Sequence, residues 1–114
     1  MKYMNNEPKN IIIVVMDTAR CDSVLDAQAD LPTFETLQDQ GTTYTSAFAS
    51  APWTLPSHGG LFSGRFSSKH GASAAAKRFP EHTSTVVETF ENASYETVAV
   101  SNNTWISDEF GFAR

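Results

Sequence analysis

Hydrophobic side chains form two kinds of strand-like pattern in this 114-residue chain. Residues 11–16 (IIIVVM) are a continuous, largely β-branched run between polar neighbours. Such a run is typical of a strand buried on both faces of a parallel sheet. Residues 42–48 alternate polar and larger apolar side chains and predict a second strand, and residues 95–100 predict a third.

Three further segments have the spacing and end signals of helices. Residues 31–41 place apolar side chains on one helical face and end at Gly41, a common stop residue. Residues 55–63 follow a polar turn, and residues 83–92 begin with Ser and Thr, which are preferred helix caps. The apolar positions on the first and third faces are Leu31, Phe34, Leu37, Val86, Val87 and Phe90.

The order of these elements predicts the fold class. Strand, helix, strand, helix, helix and strand favour an α/β fold with a layered, mostly parallel sheet and helices on both faces. We expect residues 1–9 to be a flexible polar leader and residues 10–114 to form one domain. Asp17 and Asn102 then follow the carboxyl ends of strands, where binding groups gather in such sheets.

Composition narrows the classes of partner. Eight basic and 13 acidic residues give a net charge of −5, and the acids are scattered, so we expect no nucleic acid and no membrane as partners. The longest apolar run has six residues, much shorter than a membrane span. The single cysteine, Cys21, excludes an intrachain disulfide and is expected to be a small packed residue. We predict a cytoplasmic location.

Asp17 is the first candidate for chemistry, because it ends a run that contains no other charge. A carboxylate there is a suitable ligand for Mg²⁺ or Ca²⁺, and Zn²⁺ also accepts carboxylates. The alternative is that Asp17 caps the following turn through nearby backbone N–H groups. Arg20 and Asp22 have an equally simple interpretation as a local ion pair on a surface loop.

Thr54 is the second candidate, because the sequence places its hydroxyl where a helix begins. Backbone N–H groups and the positive end of the helix dipole favour an oxyanion at such a position. Thr54 can equally serve as the helix N-cap. His58 can donate a hydrogen bond to an anionic oxygen, or it is a polar residue on the exposed face of the helix.

Two separated motifs resemble the N-terminal part of the sulfatase family, in the alkaline-phosphatase-like superfamily. Asp17-Thr18-Ala19-Arg20-Cys21-Asp22 resembles the first metal-ligand motif, and Thr54-Leu55-Pro56-Ser57-His58, ending at Ser63-Gly64-Arg65, resembles the motif that carries the nucleophile. The resemblance implies the N-terminal portion of an alkaline-phosphatase-like fold. It further implies metal-assisted cleavage or transfer at a sulfate or phosphate ester.

The resemblance also assigns roles by position. Asp17 is implied as a ligand of a divalent metal (Ca, Mg, Mn or Zn), and Thr54 as the nucleophile or a second ligand. His58 stands where the family has arginine, and with Arg65 it is implied to stabilise the anion. Threonine cannot become the formylglycine of authentic sulfatases, but related phosphotransferases and phosphodiesterases use threonine as a metal-activated alkoxide.

The family's later metal-ligand segments have no counterpart in these 114 residues, so we expect an N-terminal fragment that is inactive alone. The alternative is a non-enzymatic α/β module that binds an anion or a protein. His70 is a wall residue of the site or part of a surface loop. Tyr44, Phe48, Phe62 and Phe90 are expected in the core. Apolar residues near the C-terminus are expected to leave a surface open to association; they are Trp105, Phe110 and Phe112.

Overall fold

A computed structural model describes residues 9–25 and 30–113. The chain divides into two compact units, Met1–Thr43 and Tyr44–Arg114. The first unit contains α1 (Cys21–Val24) and α2 (Pro32–Gln40). The second unit contains α3 (Thr54–Ser63), α4 (Ser67–His70), α5 (Val86–Asn92) and a short 3₁₀ helix, Asp108–Phe110.

The predicted α/β fold with a mostly parallel layered sheet is wrong, because the described residues contain helices and no strand. Side chains in residues 11–16 are between 47% and 84% exposed, and Val100 is 96% exposed. Strands are stable only where a neighbouring strand pairs their backbone N–H and C=O groups. The described ranges provide no such neighbour for residues 11–16, 42–48 or 95–100.

In the first unit, the predicted helix over residues 31–41 is confirmed as α2. Pro32 begins it, as suits a residue without an N–H group, and the helix ends before Gly41. Leu31 and Phe34 are half-buried, whereas Leu37 is exposed. Cys21 is exposed at the start of α1, so the expectation of a packed cysteine is wrong. None of the described residues of this unit is buried.

In the second unit, the predicted helices over residues 55–63 and 83–92 are confirmed as α3 and α5. Thr85 caps α5, and its side chain accepts a hydrogen bond from the Glu88 N–H while Glu88 accepts one from the Thr85 N–H. This reciprocal arrangement is a capping box. The core of the unit consists of Leu55, Ala72 and Phe79, with partly buried aromatic residues around it.

Aromatic residues near the end of the chain pack against this core. Trp105 meets Trp53 edge to face with ring centroids 5.2 Å apart, and Phe112 stacks on Phe79 at the same separation. The Phe79 N–H also donates to the Phe110 carbonyl oxygen over 2.8 Å. These residues are therefore half-buried inside the second unit.

The other aromatic residues divide between core and solvent. Phe62 and Phe90 are half-buried, and Phe62 contacts Phe112. Tyr44 and Phe48 are exposed, Phe48 at 91%, so their expected place in the core is wrong. Among the described residues, no helix has both the length and the apolar character that a membrane crossing requires.

Candidate functional site

The first turn of α3 is the centre of the candidate site. Trp53 is extended (φ −150°, ψ 166°) and occupies the N-cap position, so Thr54 is the first helical residue. The interpretation of Thr54 as the N-cap is therefore wrong. The N-cap side chain of Trp53 makes no capping hydrogen bond, and Pro56 contributes no N–H group. The positive end of the helix dipole consequently lies beside the half-buried Thr54 without a side-chain acceptor on the N-cap.

His58 is folded back onto this turn. Its Nδ1 lies 3.0 Å from the backbone carbonyl oxygen of Thr54. A carbonyl oxygen only accepts, so Nδ1 carries the proton and the neutral ring has an unprotonated Nε2. His58 then donates to an ester oxygen through Nε2 only as an imidazolium. The structure thus brings His58 against the Thr54 backbone and leaves Nε2 as the ring nitrogen that is not engaged in this bond.

Two glycines let neighbouring segments approach the middle of α3. A Cβ on Gly59 would lie 2.8 Å from Cε1 of His70 and 3.1 Å from Cδ2 of Phe79. A Cβ on Gly60 would meet the Ser50 hydroxyl and lie 3.2 Å from the Arg65 carbonyl oxygen. Both positions therefore need glycine for close packing, although glycine is a poor helix former.

His70 is buried against the same helix, so its interpretation as part of a surface loop is wrong. Its ring is 1% exposed, and Nε2 lies 3.2 Å from the Pro56 carbonyl oxygen. Nδ1 accepts the Ala72 N–H over 3.2 Å, which leaves Nε2 as the nitrogen that donates. Burial lowers the pKa of His70, because a charged imidazolium loses hydration there, and the bond to Pro56 opposes this only in part.

Arg65 lies beyond the other end of α3. The ten residues of the helix rise about 14 Å from Thr54 to Ser63. Arg65 is exposed, and within the described ranges its guanidinium has neither a hydrogen-bond nor an ion-pair partner. Its role at the same anion as Thr54 stays a prediction.

Asp17 lies in a tight turn of the first unit. The Ala19 N–H donates to the Met16 carbonyl oxygen over 3.2 Å, and the Thr18 hydroxyl donates to Asp17 Oδ1 over 3.2 Å. Thr18 has φ 67°, a left-handed conformation that a β-branched residue adopts only under strain. Both Asp17 and Asn102 are exposed.

Arg20 and Asp22 form the local ion pair that the simpler interpretation predicted. Nε of Arg20 donates to Oδ1 over 2.9 Å, and Nη2 donates to Oδ2. This pairing raises the pKa of Arg20 and lowers the pKa of Asp22. Both side chains are largely exposed, so the pair contributes little to stability.

A family model for sulfatases matches residues 9–113. The chain belongs to the sulfatase family. The match spans both motifs and both units of the structure. No curated protein and no solved structure matches the chain.

Sulfatases use a divalent metal, and the described residues of this sulfatase chain provide only part of a suitable ligand set. The Asp17 carboxylate and the Thr54 hydroxyl are oxygen donors of the right type. Catalytic metal sites normally need at least three protein ligands. Across residues 9–25 and 30–113, no three His, Cys, Asp or Glu side chains form a group that fits a metal ion. Binding of one cation by Asp17 and Thr54 stays a prediction.

Proposed function

We propose that this chain belongs to a sulfatase-like hydrolase that cleaves or transfers a sulfate or phosphate ester, that these 114 residues alone are inactive, and that the first turn of α3 binds the anionic ester group. The observation that carries the proposal is the position of Thr54 within the family-matched range. Its hydroxyl is on the first residue of a ten-residue helix whose N-cap side chain makes no capping hydrogen bond. A helix dipole stabilises negative charge at this end.

The proposal assigns a different role to each side chain around this turn. Thr54 is the nucleophile or a ligand, and a free hydroxyl is a weak nucleophile that needs activation. His58 is held by its bond to the Thr54 carbonyl oxygen and stabilises the anion when Nε2 is protonated. Arg65 supplies a permanent positive charge, since guanidinium does not deprotonate in proteins.

Other parts of the proposal rest on the family alone. A divalent metal, either Ca, Mg, Mn or Zn, assists the reaction, and Asp17 is its ligand from the first motif. A cytoplasmic location agrees with the single cysteine. Association with another chain remains part of the proposal.

Anion binding tests the proposal without a known substrate. Inorganic phosphate or sulfate should shift the amide resonances of the first turn of α3 in the 114-residue chain. Thr54→Ala should weaken binding, and Thr54→Ser should retain it. Thr33→Ala is a matched control, because Thr33 lies in the first turn of α2 and is exposed.

Assays with aryl phosphates and aryl sulfates, each with Mg²⁺, Ca²⁺, Mn²⁺ and Zn²⁺, then separate binding from catalysis. Metal-dependent turnover that Thr54→Ala abolishes supports a hydrolase. Binding without turnover under every condition agrees with the expected inactivity of these 114 residues alone, and equally with a non-enzymatic anion-binding module. Absence of anion binding, or binding that Thr54→Ala leaves unchanged, contradicts the assigned role of this turn.

A further inference from the structure

His70 is a buried, fully hydrogen-bonded histidine that the proposed chemistry does not use. It reaches α3 from α4, fourteen residues later in the chain than Pro56. Nε2 of His70 donates to the carbonyl oxygen of Pro56, which follows Thr54 by two residues. The other nitrogen accepts the Ala72 N–H. One ring therefore joins the first turn of α3 to the segment after α4.

We propose that His70 is a positioning residue for the first turn of α3, and that it holds this turn as a neutral imidazole with its proton on Nε2. The importance of that turn rests on the role proposed above for Thr54. The ring does not touch a reacting group. It acts through Pro56, whose carbonyl oxygen it fixes from inside the unit.

Three contacts leave the ring no alternative arrangement. Gly59 offers no Cβ at the point where Cε1 of the ring comes closest to the helix. Phe79 packs on the ring with centroids 5.7 Å apart. A proton on Nδ1 would face the Ala72 N–H, so protonation replaces a hydrogen bond with a contact between two donors. A buried charge would add its own desolvation cost.

Nearby charges do not offset that cost. The titratable groups on α3, on α4 and in the segment that carries Phe79 are His58, Lys69, Lys77, Arg78, Glu81 and His82. All of them except His58 are exposed, and the hydrogen bonds of the ring go to Pro56 and Ala72 instead. Arg78 donates to the carbonyl oxygens of Asp108 and Glu109 instead. Glu81, the acidic group of this set, forms an ion pair with Arg78 over 3.3 Å. Protonation keeps the Nε2 donor to Pro56 but loses the Ala72 hydrogen bond and buries a charge, so acid should weaken the hold of the ring on the turn.

The tautomer can be measured on the unaltered 114-residue chain. A long-range proton–nitrogen spectrum at pH 7.5 should show His70 with a protonated Nε2 and an unprotonated Nδ1. His82 is exposed and serves as the reference within the same spectrum. On acidification, His70 should protonate at lower pH than His82. A proton on Nδ1 at neutral pH, or titration together with His82, would overturn the proposal.

Amide exchange separates positioning from a general loss of stability. The Ser57 N–H donates to the Trp53 carbonyl oxygen at the start of α3, and the Thr89 N–H donates to the Thr85 carbonyl oxygen in α5. Between pH 7.5 and 5, the protection factor of Ser57 should fall at least about tenfold relative to that of Thr89. Equal changes at both amides would show a merely structural histidine.

Two variants complete the test. His70→Phe keeps the packing against Phe79 but removes both hydrogen bonds, so it should lower Ser57 protection at every pH. His70→Gln keeps a donor for the Pro56 carbonyl oxygen and does not titrate, so it should restore protection and abolish the pH dependence. His82→Gln is the matched control and should change neither. A chain that behaves in this way yet binds no phosphate would contradict the function proposed for Thr54 and leave the role of His70 intact.

Discussion

At the scale of single residues, the candidate site depends on contacts that the residue types alone do not reveal. The sequence identified Thr54 and His58 by type and spacing, and the structure joins them through the bond from Nδ1 to the Thr54 carbonyl oxygen. The sequence did not reveal that His70 is buried, since a histidine between Lys69 and Gly71 is typical of an exposed loop. The signal available was Gly59, because a glycine inside a helix often marks a close approach.

Gly59→Ala should destabilise the chain although alanine is the better helix former by about 1 kcal/mol. The new Cβ would lie 2.8 Å from His70 and 3.1 Å from Phe79, and overpacking of this kind typically costs about 1–3 kcal/mol. The free energy of unfolding can be measured in urea by tryptophan fluorescence.

The double variant Gly59→Ala, His70→Ala tests the cause of that loss. Removal of the ring should make the glycine substitution less costly, so the two effects should not add. Leu61→Ala, at an exposed position of the same helix, should change stability by about 0.5 kcal/mol or less. Strictly additive single and double variants would show that the ring does not limit the space at Gly59.

Acid should also lower the global stability through His70. The pKa of this group is lower in the folded chain than the ordinary value of about 6.5 that applies when it is unfolded. Between its folded and unfolded pKa values, His70 binds more protons in the unfolded chain than in the folded chain. The contribution of His70 to stability is therefore complete above about pH 6.5 and is lost as the pH falls towards the folded pKa. Urea midpoints from pH 7.5 to pH 5 measure this decline.

His70→Gln should flatten that part of the stability profile, and His82→Gln should preserve it. The Arg20–Asp22 pair would change stability only near and below the ordinary aspartate pKa of about 3.9, and both side chains are largely exposed. This pair therefore does not account for a decline between pH 6.5 and pH 5. A slope between pH 6.5 and pH 5 that survives His70→Gln would assign the decline to another group.

At the scale of elements, the three longer helices could be predicted from the sequence, whereas the predicted strands are not formed in the described residues. Helices α2, α3 and α5 satisfy their own backbone groups, and local signals such as Pro32, Gly41 and Thr85 mark their ends. A strand depends on partners elsewhere in the chain, so the β-branched run of residues 11–16 describes a preference without determining pairing. The described part of the chain shows what such a run does without a partner, since its side chains stay exposed.

The capping box of α5 should contribute measurably to the second unit. Thr85→Ala removes the side chain that accepts the Glu88 N–H, and loss of such a cap typically costs about 1 kcal/mol. Glu88→Gln should cost less, because a glutamine oxygen can still accept the Thr85 N–H.

Ser84→Ala is the control for this prediction, since Ser84 is exposed and does not cap the helix. Unfolding in urea gives the free energies for all three variants. If Ser84→Ala costs as much as Thr85→Ala, the contribution does not come from the cap.

At the scale of the whole molecule, the described core belongs to the second unit and is assembled from segments far apart in the chain. The core brings together Leu55 from α3, Phe79 from the segment between α4 and α5, and Phe112 near the end of the chain. The sequence showed these residues as apolar, but their pairing depends on how the chain returns to α3. Arg78 helps to hold this return by donating to the carbonyl oxygens of Asp108 and Glu109. The aromatic end of the chain thus supports the helix that carries Thr54.

Phe112→Ala should therefore destabilise the second unit far more than the same change at an exposed phenylalanine. Phe112 stacks on Phe79 at 5.2 Å with planes 8° apart and contacts Phe62 at 5.9 Å. Loss of a partly buried aromatic ring with such partners should cost about 2–3 kcal/mol. Phe48→Ala should change the free energy of unfolding by about 0.5 kcal/mol or less, because Phe48 is almost fully exposed. Equal losses in the free energy of unfolding at both positions would mean that the end of the chain does not support α3. They would also contradict the inference that the aromatic core stabilises the helix that carries Thr54.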